Sequence, residues 1–231
     1  MKAISTGVVL ICLISLLAIS SVELSKTVRF ADILYISEGF NSDDSRLGTI
    51  LDSYAVNSEE VYRVGECRSD IVRAAIDIML ADLDRLNPDN QYDRWVQAAQ
   101  RSESLLEHAT LCSPHNSDYL LRLAMIKRAS GETPQELSAL VARAVALDPT
   151  SIGGLRSRFS LWRRMSAASL SLAQTALDRD LLTLLQFGSP ADIRSILKGV
   201  SPALREPTSR AFSSLDLQRQ DRLNRERVLK E

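Results

Sequence analysis

The chain of 231 residues has an ordinary hydrophobic content of 45% and charged content of 25%, but only 5% aromatic residues and nine glycines. β-Sandwiches and barrels depend on glycine-rich turns and aromatic strand residues, so this composition disfavours them and favours helices. The net charge of −1 leaves no basic domain to displace counterions from phosphates, which argues against nucleic acid as the main partner.

The first 22 residues differ from the rest of the chain. Lys2 is followed by 20 uncharged residues that end at Val22. At about 1.5 Å per helical residue, this run is long enough to cross the hydrocarbon core of a bilayer. We therefore predict a signal anchor, a transmembrane helix over residues 1–22. A cleaved signal peptide is the alternative, with Ala18 and Ser20 as the small residues before the cut.

The charges around the run predict an orientation. Lys2 and the free amino group favour a cytoplasmic N-terminus. Arginine outnumbers lysine, as in GC-rich bacterial genomes, and we infer a bacterial source. The prediction is a single-pass inner-membrane protein with the bulk of the chain in the periplasm. Cys12 lies inside the run and is interpreted as a membrane-facing apolar residue.

The remainder divides into three predicted parts. Residues 23–57 are predicted to be a juxtamembrane segment and linker. Asn57 with Glu60 three residues later resembles a capping pair, so a helical domain is expected to begin there and to cover residues 58–205. Residues 206–231 are predicted to be a charged C-terminal helix or tail.

Capping signals divide the central part into successive helices. Ser69 precedes a broad apolar stripe, and Ser189 precedes a proline. The clearest signature is Thr133 as N-cap, Pro134 at the first helical position and Glu136 at the third. No strand is needed anywhere. The predicted fold class is all-α, an N-terminal transmembrane helix followed by antiparallel helix hairpins.

A repeat of 35 residues relates two of these hairpins. Pro114 and Pro149 each follow an alanine by five positions, at Ala109 and Ala144. Residues with the spacing of one repeat then follow: Leu120, Leu123, Ala124, Gly131, Leu137 and Val141. The pattern resembles a tetratricopeptide repeat, and residues 69–114 resemble a second. Lys127 stands where that repeat carries a tyrosine, and the alanine expected near Leu137 is missing.

The resemblance implies stacked antiparallel helices whose concave face binds a peptide or a partner protein. The alternative is an ordinary helical bundle. An anchor followed by a small, degenerate tetratricopeptide-like region is also similar to accessory proteins of bacterial surface-polysaccharide assembly. This second resemblance implies work in biosynthesis or export of an exopolysaccharide.

Both histidines of the chain flank one cysteine, as His108, Cys112 and His115. Such a cluster suits a zinc site or a thiol nucleophile with a histidine base. No further cysteine or histidine lies nearby in sequence, and Cys112 occupies the helix-end position that Leu147 holds in the other unit. We therefore predict no catalytic residue, no metal and no cofactor, and keep an enzyme or metal protein that uses this cluster as the alternative.

A disulfide is the preferred role for Cys112. In an oxidising compartment its partner would be Cys67, at the start of the preceding helix. The start of one helix and the end of its antiparallel neighbour lie side by side, so we expect the two residues to approach within bridging range. Such a bridge contributes about 4 kcal/mol in the chain-entropy model.

One basic segment is a candidate contact surface. Arg156, Arg158, Arg163 and Arg164 surround Leu155, Phe159 and Trp162, which share the predicted core face. The simplest interpretation is a solvated basic face over buried aromatic residues. The functional one is contact with an acidic partner, an anionic glycan or lipid headgroups.

The sequence thus predicts a membrane-anchored helical scaffold that binds a partner protein in a bacterial envelope assembly. A purely structural envelope protein without a specific ligand is a further alternative.

Overall fold

The computed structural model of the protein describes residues 2–39, 47–199, 201–226 and 228. Within this part of the chain there are only helices and no strand, which confirms the all-α class. The helices are α1 (Lys2–Arg29), α2 (Ala31–Gly39), α3 (Leu47–Arg63), α4 (Ser69–Asp84), α5 (Tyr92–Cys112), α6 (Ser117–Gly131), α7 (Pro134–Leu147), α8 (Ile152–Trp162), α9 (Ala167–Leu172), α10 (Gln174–Phe187), α11 (Pro190–Leu197), α12 (Pro202–Ser213) and α13 (Leu217–Arg225).

The chain divides into two units, residues 1–98 and 99–231, and the division falls inside α5. These limits differ from the predicted ones, because a single helical domain over residues 58–205 would take part of each unit. Each unit has its own buried residues and is described separately.

Helix α1 has the length and composition of a membrane span. Within the described residues it is the one helix that qualifies, through the segment Leu10–Arg29 with a mean hydropathy of 1.7 and no buried side chain. Anchors and signal sequences share these properties. The structure therefore supports the apolar N-terminal helix, while its orientation stays a prediction.

The predicted linker is part of the first unit. Helix α2 packs against α3 and α4, and Phe30, Ile33 and Ile36 are buried. The stretch 23–57 is therefore not a spacer in its described parts, because its apolar residues complete the core of this unit. Residues 40–46 of the predicted linker lie outside the described residues.

The capping pair predicted at Asn57 is wrong. Asn57 lies inside α3, which begins ten residues earlier. Leu51 and Ala55 are buried on the helix before it, and their packing extends the helix through the polar residue. Tertiary packing thus outweighs a local capping signal.

Helix α3 ends at Arg63, and Gly65, two residues further on, has a positive φ of 70°. Two reversed hydrogen bonds close the turn: Gly65 N–H donates to the carbonyl of Tyr62 (3.3 Å), and Glu66 N–H donates to that of Val61 (2.9 Å). This is the Schellman arrangement, in which glycine adopts the left-handed conformation without a steric cost. The turn redirects the chain into α4.

In the second unit α6 and α7 pack against each other across a two-residue connection. Helix α7 also contacts α9 and α10, and α10 contacts α8 and α12. The core includes Phe159, Trp162, Leu181, Leu184 and Leu204. Helix α10 therefore lies at the centre of the unit.

The predicted C-terminal tail is folded in its described part. Ala211 of α12, Leu215 of the turn after it and Leu223 of α13 are buried in the same core. The described part of the segment 206–231 is therefore mostly helical, in agreement with one of its two predicted forms, but it is not separate from the domain before it. Residues 227 and 229–231 lie outside the described residues.

Candidate functional site

The corner between α5 and α6 is held by polar contacts. Asn116 caps α6, because its side-chain oxygen accepts from the backbone N–H of Asp118 at 3.0 Å. Arg143 of α7 donates to the carbonyl of Pro114 at 2.8 Å. The turn is thus fixed to the neighbouring helix pair.

Two members of the predicted cluster meet at this corner. Nε2 of His108 lies 3.3 Å from Sγ of Cys112, one helical turn apart on α5. Within the described part of the chain, His115 joins no group of three potential metal ligands. The structure therefore brings together two of the three side chains on which the metal or nucleophile alternative depends.

Cys67 and Cys112 are both disulfide-bonded, and Cys12 is free. The predicted Cys67–Cys112 bridge requires this state. A disulfide sulfur is neither the thiolate ligand nor the thiolate nucleophile that the alternative needs. In the oxidised protein Cys112 is therefore unavailable for that chemistry.

Arg158 is not a surface residue, which corrects the predicted arginine cluster. It is 1% exposed and forms two parallel hydrogen bonds with the carboxylate of Asp180, of 2.8 and 2.9 Å. Nε1 of Trp162 donates to the same carboxylate at 2.9 Å. Burial raises the pKa of Asp180, and the hydrogen bonds from Arg158 and Trp162 oppose that rise.

The other three arginines are engaged to different degrees. Arg156 pairs with Asp192 at 2.5 Å. Hydrogen bonds from Ser189 and then from Arg156 lower the pKa of Asp192. Arg163 donates to the carbonyl of Ile196. Arg164 is exposed. A contact with a polyanion would therefore compete with internal bonds at two of these positions.

Gly154 explains how the buried ion pair is accommodated. A Cβ at this position would overlap a carboxylate oxygen of Asp148 and lie 3.0 Å from Nη1 of Arg158. The absence of a side chain at Gly154 therefore leaves room for the side chains of both Asp148 and Arg158. The exposed N-terminus of α8 is capped by Ser151, which accepts from Gly154 N–H at 3.2 Å.

Lys127 is the centre of an ionic cluster that the sequence did not reveal. Its ammonium lies 2.6 Å from Glu103, 3.1 Å from Glu107 and 2.9 Å from Glu136. Burial by itself lowers the pKa of Lys127, but hydrogen bonds to the three carboxylates outweigh it and the pKa is raised. The residue that departs from the tetratricopeptide pattern thus connects α5, α6 and α7.

A surface groove runs along α10, and we call it the α10 groove. Its lining residues are Thr175, Asp178, Arg179, Leu182, Thr183, Gln186, Phe187, Ser214 and Leu215. Phe187 is 78% exposed although it is a large apolar side chain. Sequence periodicity could not find this groove, because Ser214 and Leu215, in the turn after α12, form one of its sides.

The far end of the groove is braced by Arg219 of α13. Its guanidinium donates to the carbonyls of Leu185 (2.8 Å) and Gly188 (2.7 Å) at the end of α10. Arg210 of α12 pairs with Asp178 at 3.1 Å nearer the start of α10. The bonds from Arg219 satisfy helix-end carbonyls and hold α13 to the end of α10, and the Arg210–Asp178 pair holds α12 to the same helix.

Comparison with known proteins found no matching family, no similar curated protein and no similar solved structure.

Proposed function

We propose that the protein is a membrane-anchored helical scaffold that binds a segment of a partner protein in the α10 groove. The observation that carries the proposal is the exposure of Phe187 beside this groove. A large aromatic side chain left in water forgoes burial that a partner can supply, and aromatic residues are enriched at the centres of protein interfaces.

The setting we propose is a bacterial envelope assembly, with biosynthesis or export of a surface polysaccharide as the specific case. The apolar helix α1 supports membrane attachment. The disulfide-bonded state of Cys67 and Cys112 supports an oxidising compartment, and we propose that the two cysteines pair with each other. The tetratricopeptide-like character of α6 and α7 is part of the same proposal.

Site-specific photo-crosslinking in living cells tests the groove. A photoreactive phenylalanine analogue is placed at Phe187, and as a matched control at Leu111, an exposed apolar residue of α5 that does not line the groove. We expect a discrete heavier adduct from position 187 and none from position 111. No adduct at 187, or the same adducts from both positions, would overturn the proposal.

The alternative is an enzyme or metal protein that uses the cluster around Cys112. The observation in its favour is the 3.3 Å contact between His108 and Cys112. Metal analysis of the purified chain, with and without reductant, reports on it directly. Stoichiometric zinc in the reduced protein that Cys112→Ser removes would favour this alternative. We expect no zinc in either state.

A further inference from the structure

The polar end of α1 is attached to the first unit. Thr27 Oγ1 accepts from Nη1 of Arg68 at 2.7 Å, and Lys26 lies 3.6 Å from Glu66. Phe30, which follows α1, is buried. Arg68 also lies 3.6 Å from the carboxylate of Glu23, the first charged residue after the apolar run. Since this face carries charges and lies against folded protein, we expect the hydrocarbon core of a bilayer to end before residue 23.

The opposite face of the same segment is apolar and exposed. Leu24 is 65%, Val28 68% and Tyr35 76% exposed. With Leu17, also exposed, they follow one another at intervals of seven, four and seven residues. This is the heptad spacing by which two helices pack along a common seam. We call these four residues the outer stripe.

The stripe continues past the junction at Phe30. Phe30 N–H donates to the carbonyl of Lys26, and Leu34 N–H donates to that of Phe30, both at 3.1 Å. Helical hydrogen bonding therefore carries the stripe from α1 to α2. Tyr35 lies thirteen residues beyond Val22, which is about 20 Å at the rise of a helix.

Lipid cannot cover the whole stripe. The headgroup region adds only about 5–8 Å on each side of the hydrocarbon core. Leu24 falls within that layer, but Tyr35 lies well beyond it even in a tilted helix. If the outer end is covered, a protein surface must cover it.

A second copy of the chain fits the whole stripe. Two copies anchored in one membrane share direction and depth, so each residue of the stripe meets its own counterpart around a twofold axis normal to the bilayer. One flank of the seam beside Val28 is Ser25, which is exposed and uncharged. The other is Thr27, itself uncharged, which borders the first unit because Arg68 donates to its hydroxyl. No like-charged pair opposes parallel pairing there.

Ser21 occupies the seam between Leu17 and Leu24. Its hydroxyl donates to the carbonyl of Leu17 at 2.8 Å. Its hydrogen-bond donor is therefore satisfied within the helix, and its small size permits close approach of two backbones, as is common between membrane helices.

We propose that two copies of the protein pair in parallel along the outer stripe, from the membrane span into the first unit. This interface is distinct from the α10 groove and goes beyond the proposed function.

Cysteine crosslinking of the full chain in native membranes tests the seam. The variants are Leu17→Cys and Val28→Cys in a Cys12→Ser background, and the matched controls are Ile19→Cys and Arg29→Cys, which lie off the seam. Wild-type Cys12 is an internal control, because it too lies on the far side of α1. We expect covalent dimers from positions 17 and 28 upon oxidation, and little or none from 12, 19 and 29.

The mass of the full chain in mild detergent gives a second measurement. We expect twice the chain mass, and a shift to the single mass in Val28→Glu with helicity unchanged. Equal crosslinking at all five positions, adducts with another protein, or a membrane-purified chain that lacks its first 20 residues would overturn the proposal. None of these results depends on the α10 groove, so either proposal can fail alone.

Discussion

Arg158 and Asp180 are separated by 22 residues in the chain and meet in the core of the second unit as a bidentate ion pair. Each side chain is at most 1% exposed. Trp162 donates a third hydrogen bond to the same carboxylate. The pair therefore joins α8 to α10, the helix that carries the groove.

Removing one charge of this pair leaves the other buried without compensation. We expect Asp180→Asn to lower the free energy of unfolding by about 3–5 kcal/mol. Denaturant titration of the full chain in mild detergent, followed by helical circular dichroism, measures the loss. The matched control is Asp178→Asn, two residues away in a partly exposed pair with Arg210. Equal losses in both variants would contradict a special role for the buried pair.

Lys127 neutralises three glutamates in one place. We expect Lys127→Met to destabilise the protein by about 1–3 kcal/mol, because partly buried acceptors lose their donor. Lys198→Met, at an exposed position, serves as the control and should be nearly neutral.

The direction in which the pKa of Lys127 is shifted predicts how the stability lost in Lys127→Met depends on pH. Its pKa in the folded protein is raised above the ordinary value of 10.5. The contribution to stability is therefore complete below pH 10.5 and is lost only as the pH rises through the folded pKa. Between pH 7 and pH 10 the difference between wild type and Lys127→Met should stay constant. A steady decline across that window would contradict the assignment.

Glu132 has the opposite pH signature. It accepts from the backbone N–H of Ser166 at 2.9 Å and from the hydroxyl of Ser169. Burial acts to raise its pKa, but these hydrogen bonds outweigh it and the pKa lies below 4.5. The advantage of wild type over Glu132→Gln should be present above pH 4.5 and disappear as the pH falls through the lowered pKa. Thermal melts at stepped pH, with Glu206→Gln as an exposed control, measure it.

The disulfide prediction has two parts. Peptide mapping without reduction should recover one linked fragment that contains Cys67 and Cys112, and Cys12 should react with a maleimide. Cys112→Ser should cost about 4 kcal/mol in the chain-entropy model. Two free thiols in protein taken from the native compartment would refute both the bridge and the inferred oxidising environment.

Gly188 ends α10 beneath the groove. A Cβ there would overlap the backbone oxygen of Leu184 and lie 3.1 Å from Cγ1 of Ile193. We expect Gly188→Ala to lower the melting temperature, by an overpacking cost of about 1–3 kcal/mol. Gly131→Ala is the control, since nothing lies within 4 Å of a Cβ at that position. Equal melting temperatures for the two variants would show that the close packing around Gly188 does not exclude a Cβ.

Much of the helix pattern beyond residue 69 was predictable, because local signals set it. Pro134 and Pro190 begin helices at their first positions, as expected, and Ser189 accepts a capping hydrogen bond from Asp192 N–H at 3.1 Å. Thr133 stands at the predicted N-cap position but makes no capping hydrogen bond. The sequence thus predicts the position of an N-cap residue better than it predicts whether that residue forms a capping hydrogen bond.

The long-range contacts were not predictable from spacing. Arg158 is charged and lies among other arginines in the sequence, so we predicted that it is exposed to solvent. In the structure it is buried, because it forms an ion pair with Asp180 in the core. Phe30, Ile33 and Ile36 alternate with Ala31, Asp32, Leu34 and Tyr35, so no clear apolar stripe marks them. Their burial depends on a partner surface formed by the later helices α3 and α4. Both errors concern residues whose environment is supplied from elsewhere in the chain.

Helix α1 is attached to the rest of the first unit through Arg68 and through the pairing of Arg29 with Glu60. No flexible linker therefore separates the membrane span from this unit. A protein on a flexible tether sweeps out a volume set by the length of its linker, and can meet partners at many heights. This unit would instead stand at one fixed height over the bilayer. A partner that contacts this first unit must then present its own surface at that level, so we expect membrane-bound partners to be favoured there over freely diffusing ones.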